Sequence, residues 1–178
     1  MATYQIDPQH TAAHFQVRHM MISNVKGEFC NVTGAVEFDP ADLNSARVDV
    51  SIDASTINTR EPQRDRHLKS PDFLDVGRYP RITFRSAKVV ALGDHGSYHV
   101  TGSLTIRAQT HEVTLRVDSL TEEILDPSGI LRRGATASTR IERKHFGLTW
   151  NAVLESGGFV VGDEIQITID VELARKPD

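Results

Sequence analysis

The chain has 178 residues, 39% of them hydrophobic, and a formal net charge of −4 at pH 7. Its length is typical of one domain, so we expect residues 1–178 to form a single domain. The net charge is mildly negative and lysines and arginines do not cluster, which argues against nucleic-acid binding. No window reaches the roughly 18 apolar residues that a membrane span needs, and the single cysteine, Cys30, excludes an internal disulfide framework.

The amino-terminal residues lack the features of a secretory leader. In residues 1–11, no cationic start is followed by an apolar run. If Met1 is the natural start, the sequence predicts a cytoplasmic protein. In such a protein we expect Cys30 to be a small buried side chain rather than a nucleophile.

Alternation of apolar and polar residues predicts strands in the first third of the chain. The predicted strands cover residues 12–19, 25–38 and 46–54. Gly27 and Gly34 lie inside the second of these strands. Glycine within a strand is typical of a bulge or of the sharp bend of a barrel wall.

Residues 59–86 interrupt this alternation. The segment opens with alternating charges, contains Pro71 and Pro80, and returns to a strand pattern at Ile82. A short helix is predicted over Pro62–Lys69. We interpret the segment as a cap over one end of a β-barrel, where it supplies polar groups at the mouth of a cavity.

Strand patterns return in the second half of the chain. A hairpin is predicted from strands 82–90 and 98–106, joined by a turn at 93–96. Further strands are predicted over residues 111–120, 130–141 and 164–173, with a turn at 108–110 and a less regular stretch at 144–150.

These elements predict an all-β fold. About eight strands are joined mostly by short turns, and no second helical region is available to cover a sheet face. Barrels remove exposed strand edges by closing on themselves. We therefore expect an eight-stranded antiparallel β-barrel with one short helical cap segment. The interior of such a barrel is just large enough for side chains or for one ligand.

Catalytic and metal-binding motifs are not visible in the sequence. The eight histidines are scattered and do not form paired ligands on one element, so no metal site and no cofactor are predicted. Nucleophile elbows and phosphate-binding glycine loops are also missing. Asp65 and Asp72 could form a carboxylate pair, but the neighbouring Arg64, Arg66 and Lys69 favour structural ion pairs.

Large apolar residues distributed along the chain could either fill the barrel or line a pocket inside it. The sequence alone leaves both interpretations open. The candidates are Phe15, Val17, Phe38, Phe73, Phe84, Leu104, Leu115, Phe146, Trp150 and Ile167.

Several motifs resemble the YceI-like family. Residues 64–86, RDRHLKSPDFLDVGRYPRITFRS, are similar to its most specific signature, in which Arg-Asp-x-His-Leu-x-Ser-x-x-Phe-x-Asp is followed by Tyr-Pro-x-Ile-x-Phe-x-Ser. Shorter motifs of the family are matched elsewhere, so that the similarity covers nearly the whole chain. These matches are Asp7, His10, Phe15, Val17, His19, Val25, Gly27, Phe29, residues 102–106, Arg143, Phe146, Gly147 and residues 161–164.

The resemblance implies an extended lipocalin-like barrel that holds a polyisoprenoid chain, with a polar, phosphorylated or quinone-type head group near the opening. It also implies a non-catalytic role in lipid transport, storage or sequestration, and a homodimer. Many relatives are periplasmic and some are cytoplasmic. If Met1 is the natural start, we expect this chain to belong to the second group.

Arginine suits bidentate contact with a phosphorylated head group better than lysine does. The candidates at the rim are His19, Arg60, Arg64, Arg66 and His67. An alternative is that Arg64, Asp65 and His67 form a structural network that pins the cap to the barrel.

Two other functions remain open at this point. One is an enzyme, for instance with a histidine-bound metal, that acts on a small hydrophobic or polyprenyl substrate. The other is a stress-related interaction protein with a filled core. The volume left inside the barrel separates lipid binding from the filled core, and the distances between the histidines bear on the enzyme.

Overall fold

The computed structural model describes residues 1–93 and 96–177. It is a closed, eight-stranded antiparallel β-barrel with one α-helix, which confirms the predicted fold. The helix α1 spans Pro62–Lys69, the predicted range. In the described part of the chain the strands are β1 (Ala2–Ile6), β2 (Ala12–His19), β3 (Ser23–Phe29), β4 (Val32–Phe38), β5 (Arg47–Asp53), β6 (Arg81–Ala91), β7 (Tyr98–Ile106), β8 (Gln109–Asp118), β9 (Ile124–Leu125), β10 (Leu131–Glu142) and β11 (Val161–Arg175).

Eight of these strands form the closed ring. Their order around the barrel is β11, β1, β4, β5, β6, β7, β8 and β10, and β10 pairs with β11 to close the ring. Each pairing between neighbouring strands is antiparallel. Closure leaves no free edge among these eight strands.

The long strand β11 has a different partner at each end because it is 15 residues long. Its first part pairs with β2, where Ile167 lies opposite Phe15, and its last part pairs with β1, where Leu173 lies opposite Ile6. Strand β3 pairs with the other edge of β2. A bridge between Glu28 and Asn58 then joins β3 to the segment that leads into α1. The β2–β3 hairpin therefore extends the barrel wall toward α1.

Local hydrogen bonds define the start and end of α1. The Glu61 side chain accepts from the backbone N–H groups of Gln63 and Arg64, and Pro62 lies in the first turn, where its missing N–H is not needed. At the other end, the N–H of Ser70 donates to the carbonyl of His67 at 3.1 Å. The helix carries few apolar residues, so its position depends on its contacts with the barrel.

Buried apolar side chains form two clusters inside the barrel. Phe84 and Phe146 belong to the cluster on the side of α1, and Tyr4 and Leu173 belong to the other. Among the described residues, none of the helices has the length and apolar character needed to cross a membrane.

The strand predicted over residues 25–38 is in fact two strands. β3 ends at Phe29 and β4 begins at Val32, because Asn31 has a left-handed backbone conformation (φ 54°) that interrupts the extended run. Cys30 lies in this break and is exposed. The prediction that Cys30 is buried was wrong, because the break removes it from the inward-facing row of the strand.

Other boundaries also differ from the sequence-based expectation. Strands β1 and β9 were not predicted. The turn expected at 108–110 consists of Arg107 and Ala108, which both have positive φ (50° and 59°), and β8 begins at once with Gln109. A two-residue turn of this kind matches the twist of a hairpin. The predicted hairpin is confirmed by the pairing of β6 with β7; the turn expected at 93–96 includes Asp94 and His95, which lie outside the described residues.

Candidate ligand-binding cavity

A cavity of about 350 Å³ lies inside the barrel next to α1; we call it the outer cavity. Small-molecule sites in proteins typically measure about 300–1,000 Å³. Most side chains that border the outer cavity are aliphatic or aromatic. Arg64 and His67 of α1 and His19 at the end of β2 border it from the capped side. The arrangement suits an apolar molecule with one polar end.

Alternate residues of neighbouring, hydrogen-bonded strands form the walls of the outer cavity. Phe15 of β2 lies opposite Ile167 of β11, and Phe84 of β6 lies opposite Leu104 of β7. All four side chains border the cavity. The period-two pattern of the sequence therefore turns apolar side chains inward from several sides of the barrel.

Two glycines make room for the aromatic rings in these walls. A Cβ atom on Gly27 would lie 2.4 Å from Cζ of Phe15. A Cβ atom on Gly102 would lie 2.8 Å from Cζ of Phe84 and 2.3 Å from the carbonyl oxygen of Arg85. Gly27 is needed because the ring of Phe15 lies close to its backbone, and Gly102 is needed because both the backbone of the neighbouring strand and the ring of Phe84 lie close to it.

Three rings meet where the outer cavity borders the cap. The ring centroid of His67 lies 5.1 Å from that of Phe73 and 4.7 Å from that of Trp150, and Phe73 and Trp150 are 5.3 Å apart. The contacts of His67 are edge-to-face, a favourable geometry for such rings. Nε2 of His67 lies 2.8 Å from Oδ2 of Asp72, which orients the imidazole. We call these three rings the aromatic gate.

Hydrogen bonds to Thr59 tie the helix to the segment before it. Arg64 donates from Nε to Oγ1 of Thr59 and from Nη2 to the carbonyl oxygen of Thr59, each at 2.8 Å. Oδ1 of Asp65 accepts from the Thr59 backbone N–H at 2.9 Å and from its hydroxyl group. Thr59 is buried. Asp65 thus has a structural role, but with Thr59 rather than with the neighbouring arginines that the sequence favoured.

The loop after α1 is held by the β7–β8 turn. Nη1 of Arg107 donates to the carbonyl oxygen of Phe73 at 2.8 Å and to that of Gly147 at 3.2 Å. Asp72, in the same loop, pairs with His67 and not with Lys69. The aromatic gate is therefore fixed by polar contacts on its outer side.

The guanidinium group of Arg143 is buried beside the outer cavity, with only 2% of the residue exposed. Its Nε donates to the carbonyl oxygen of Gly162 at 2.7 Å, and Nη1 donates to the carbonyl oxygens of Leu148 at 2.6 Å and Trp150 at 2.9 Å. Burial lowers its pKa, and the nearby Asp163 opposes this effect. Because its donors are used by backbone carbonyls, Arg143 positions Trp150 rather than offering its charge to a ligand.

A second, smaller cavity of about 120 Å³, which we call the inner cavity, lies farther along the barrel. Its walls are almost entirely apolar, and Val50, Leu115 and Ile169 border both cavities. Tyr4 and Arg133 also border the inner cavity. The hydroxyl of Tyr4 donates to Oε1 of Glu123 at 2.7 Å and accepts from Nε of Arg133 at 3.1 Å. Burial is the main cause of the raised pKa of Tyr4.

Most of the apolar residues proposed from the sequence border the outer cavity. They are Phe15, Val17, Phe73, Phe84, Leu104, Leu115, Trp150 and Ile167. Phe38 borders only the inner cavity. Phe146 borders neither cavity, because the short 3-10 helix Arg143–Phe146 packs its ring into the core, 5.1 Å from the ring of His111.

The five rim candidates separate into two groups. His19, Arg64 and His67 border the outer cavity. Arg60 and Arg66 are exposed and are not part of its walls. Arg60 lies in the turn before the helix with a φ of 65°, and Arg66 lies on the side of α1 that faces solvent.

Several residues of the walls were not singled out from the sequence. Examples are Val50, Ile52, Val113 and Leu68. For Val50 and Ile52 the signal was present, because the alternation in residues 46–54 places them on one face of a strand. Leu68 gave no comparable signal, since a single leucine in a charged helix does not reveal what the helix covers.

One group of potential metal ligands exists in the described part of the chain, away from both cavities. Ligand atoms of Asp7, His10 and Glu172 lie within 4.8 Å of one another. Nη1 of Arg132 donates to Oδ2 of Asp7 at 2.7 Å and to Oε1 of Glu172 at 2.8 Å. A guanidinium group between the two carboxylates already supplies the positive charge that a metal ion would bring. We interpret the group as an ion-pair network that joins the β1–β2 corner to β10 and β11.

The sequence model of the YceI-like domain matches residues 4–173. A UPF0312 protein of Staphylococcus aureus strain N315 is 32% identical over 176 residues, which cover 98% of each chain. The same identity and coverage are found with a UPF0312 protein of strain Mu50.

Solved structures share the barrel. BcnA of Burkholderia cenocepacia is similar with a TM-score of 0.81 and 22% identity, covering 94% of this chain and 98% of that one. A Campylobacter jejuni YCEI protein gives a TM-score of 0.73 and 29% identity, with 90% of each chain covered. A polyisoprenoid binding domain from Saccharophagus degradans gives 0.71 and 13% identity, covering 97% and 98%. The chain is therefore a member of the YceI-like family.

Proposed function

We propose that this protein binds one long apolar lipid of the polyisoprenoid class inside its barrel and acts in transport, storage or sequestration rather than in catalysis. The observation that carries the proposal is the outer cavity of about 350 Å³, whose walls are mostly aliphatic and aromatic. A filled core would have favoured an interaction protein, whereas an apolar cavity of this size favours a ligand.

The apolar walls are sufficient to hold such a ligand. Burial contributes roughly 0.8 kcal/mol for each CH₂ group, so that one five-carbon unit contributes up to about 4 kcal/mol. Ordering of the chain and loss of its free motion oppose this gain. Four to six buried units contribute up to about 16–24 kcal/mol, which exceeds an association cost of about 4–15 kcal/mol without any polar contact.

The choice of a polyisoprenoid has support beyond the cavity. The Saccharophagus degradans domain with the same fold is described as polyisoprenoid binding. Its identity of 13% carries the fold alone, so the ligand class comes to this chain as part of the proposal. The outer cavity is bordered by Phe73 and Trp150 of the aromatic gate and by Ile169 of β11, and most of its other lining residues are apolar, which suits a hydrocarbon chain.

We assign the head group to the capped end, beside His19, Arg64 and His67. Arg64 already uses Nε and Nη2 for Thr59, which holds the guanidinium group in one orientation. An arginine fixed in this way loses little freedom when it also binds an anion. The apolar tail would then contact Phe15, Val17 and the other wall residues that the sequence indicated.

Extraction of the purified protein with organic solvent, followed by mass spectrometry, tests the proposal directly. An isoprenoid recovered in a stoichiometric amount supports it. Delipidated protein should then bind all-trans prenols, with a change in the fluorescence of Trp150, which is the only tryptophan and borders the cavity. Failure to recover any lipid, together with no binding of any prenol, would refute it.

A pair of matched variants shows whether the lipid lies in the outer cavity. Val113 of β8 borders the cavity, and its neighbour Glu112 is exposed on the other face of the strand. Val113→Phe should reduce the amount of bound lipid because the larger side chain occupies part of the volume. Glu112→Phe should leave it unchanged. Equal lipid content in the two variants would place the ligand elsewhere.

The homodimer and the cytoplasmic location stay predictions. Light scattering of the purified protein gives the oligomeric state, and fractionation of the native cells gives the location.

A further inference from the structure

We propose that the ring formed by Val50, Leu115 and Ile169, which we call the partition, is the floor of the ligand site and sets the longest lipid chain that the protein accepts. The inference rests on the proposed function, because it assigns a length limit to the same site. It is supported by two features that the proposed function does not use, namely the inner cavity and the three residues that border both cavities.

The partition encircles the barrel. Val50 lies on β5, Leu115 on β8 and Ile169 on β11. In the order of strands around the ring, these three strands are separated by one or two others on each side. Three branched aliphatic side chains therefore point inward from nearly evenly spaced positions. Such an arrangement narrows the interior at one level and divides it into two volumes.

Register data place the two cavities on opposite sides of this level. On β11, Ile167 borders only the outer cavity and Val171 only the inner cavity, with Ile169 between them. On β8, Val113 borders only the outer cavity and Val117 only the inner cavity, with Leu115 between them. Successive inward residues of a strand are two positions apart, so each cavity occupies its own layer.

The inner cavity is suited to the end of a hydrocarbon chain and to little else. Its walls are apolar, and at its far side Tyr4 and Arg133 satisfy each other, with Glu123 and the Thr121 carbonyl as their other partners. A polar ligand would find few hydrogen-bonding partners there. A chain that passed the partition could therefore extend by the length of the inner cavity and no farther.

A homologous series of n-alkanols, each one carbon longer than the last, tests this inference on delipidated protein. In the wild type, each added CH₂ should raise the affinity up to about fourfold, until the chain reaches the partition and the affinity levels off. Leu115→Ala removes one side of the ring, so that the plateau should move to longer chains. Leu104→Ala is the matched control and should leave the chain length of the plateau unchanged, because Leu104 borders only the outer cavity.

A second substitution closes the space that the first one opens. Ala137 borders only the inner cavity and lies opposite Ile169 in the register. In the Leu115→Ala background, Ala137→Leu should move the plateau back toward shorter chains, whereas in the wild type it should leave the plateau unchanged. If Leu115→Ala does not fold, Ile169→Val and Val50→Ala each remove part of the same ring and should give smaller shifts in the same direction.

The outcomes separate this inference from the proposed function. Plateaus at the same chain length in the wild type and in all partition variants would overturn the partition as the length limit while leaving lipid binding intact. A plateau in the wild type that Ala137→Leu shortens would also overturn it, because the chain would then already occupy the inner cavity. No binding of any alkanol or prenol would overturn the proposed function itself.

Discussion

Arg64 holds Thr59 with two hydrogen bonds, from Nε to the hydroxyl oxygen and from Nη2 to the carbonyl oxygen, both 2.8 Å long. Thr59 is buried, and Asp65 accepts its N–H and its hydroxyl. The two charged side chains thus bond to one buried threonine. These bonds hold α1 on the segment before it, which the bridge between Asn58 and Glu28 joins to β3. The aromatic gate depends on them because His67 lies on the same helix.

The first prediction concerns the stability of the cap. Arg64→Met removes two charge-assisted hydrogen bonds, each of which contributes about 1.5–3 kcal/mol. We expect the amide hydrogens of α1 to exchange at least about tenfold faster, because the helix can open without unfolding the barrel. Hydrogen exchange with mass spectrometry measures this effect.

Arg66→Met is the control for the cap, since Arg66 is exposed on the same helix. It should leave exchange in α1 nearly unchanged. Equal acceleration in both variants would show that the charge of the helix, and not the contact with Thr59, controls its opening.

The second prediction concerns the head group. Arg64→Met should lower the affinity for a prenyl monophosphate about tenfold more than the affinity for the prenol of the same length, because only the phosphate makes a charge-assisted bond. The ratio of the two affinities cancels any general loosening of the cap. An unchanged ratio would assign Arg64 to the cap alone, and Arg66→Met should leave the ratio unchanged in either case.

The fold could be predicted from the sequence because its main signal is local. Alternation in residues such as Phe15 and Val17 gives the strands, and charge with Pro62 gives the helix. The break at Asn31 was missed because an asparagine followed by another alternating run carries no clear turn signal. The short strand β1 was missed for a similar reason, since it is fixed by its pairing with β4 and β11 rather than by its own pattern.

The cavity was harder to predict than the fold, because it depends on distances between residues that are far apart in sequence. Phe84 and Phe146 are both buried phenylalanines, yet only Phe84 borders the cavity. The difference arises from the short 3-10 helix Arg143–Phe146, which packs Phe146 against His111. Alternation indicates which face of a strand is buried, but not whether the space behind it is full.

The third prediction tests the close packing at Gly102. Gly102→Ala should destabilise the protein by about 1–3 kcal/mol, because the new Cβ atom would meet the Arg85 carbonyl and the ring of Phe84. Urea unfolding followed by circular dichroism gives the difference. Gly77→Ala is the matched control, since nothing lies within 4 Å of its Cβ position. That control should be neutral or slightly stabilising, by up to about 1 kcal/mol.

The fourth prediction concerns the network around Arg132. This residue donates to Asp7 at 2.7 Å, to Asp126 at 2.6 Å and to Glu172 at 2.8 Å, and its side chain is only 24% exposed. Arg132→Leu leaves three carboxylates close together without their cation. We expect a lower urea midpoint at pH 7, because the three carboxylates then repel one another.

A control for this loss is Arg116→Leu. The pair of Arg116 with Asp118 is exposed, so its removal should lower the urea midpoint much less. If the two variants lose the same stability, the network around Arg132 is not a special feature of this barrel. Lowering the pH should reduce the penalty of Arg132→Leu, because protonation of the carboxylates relieves their repulsion.

The last prediction concerns the pH dependence of stability at the β1–β2 corner. Nδ1 of His10 lies 3.0 Å from Oδ2 of Asp7. The hydrogen bond with Asp7 is the main cause of a raised pKa for His10, with Glu172 adding to it and Arg132 opposing it. The same bond, with help from Arg132, lowers the pKa of Asp7 from its ordinary 3.8 to about 2.

The two pKa shifts affect the stability of the folded protein in two different pH ranges. A raised histidine pKa stabilises the folded protein below the ordinary value of 6.5, and this stabilisation is lost as the pH rises through the folded pKa. A lowered aspartate pKa stabilises it above 3.8, and this stabilisation is lost as the pH falls toward 2. The pair therefore contributes most between the two ordinary values, in mildly acidic solution.

Urea midpoints measured across this range check the effect. The wild type should lose stability from mildly acidic to mildly alkaline pH more steeply than His10→Gln, which cannot gain the charge. In the Asp7→Asn background the same histidine substitution should change the slope much less, because its main partner is gone. If His10→Gln does not change the pH dependence of the urea midpoint in the protein that retains Asp7, the ion pair of His10 and Asp7 does not contribute to folding stability.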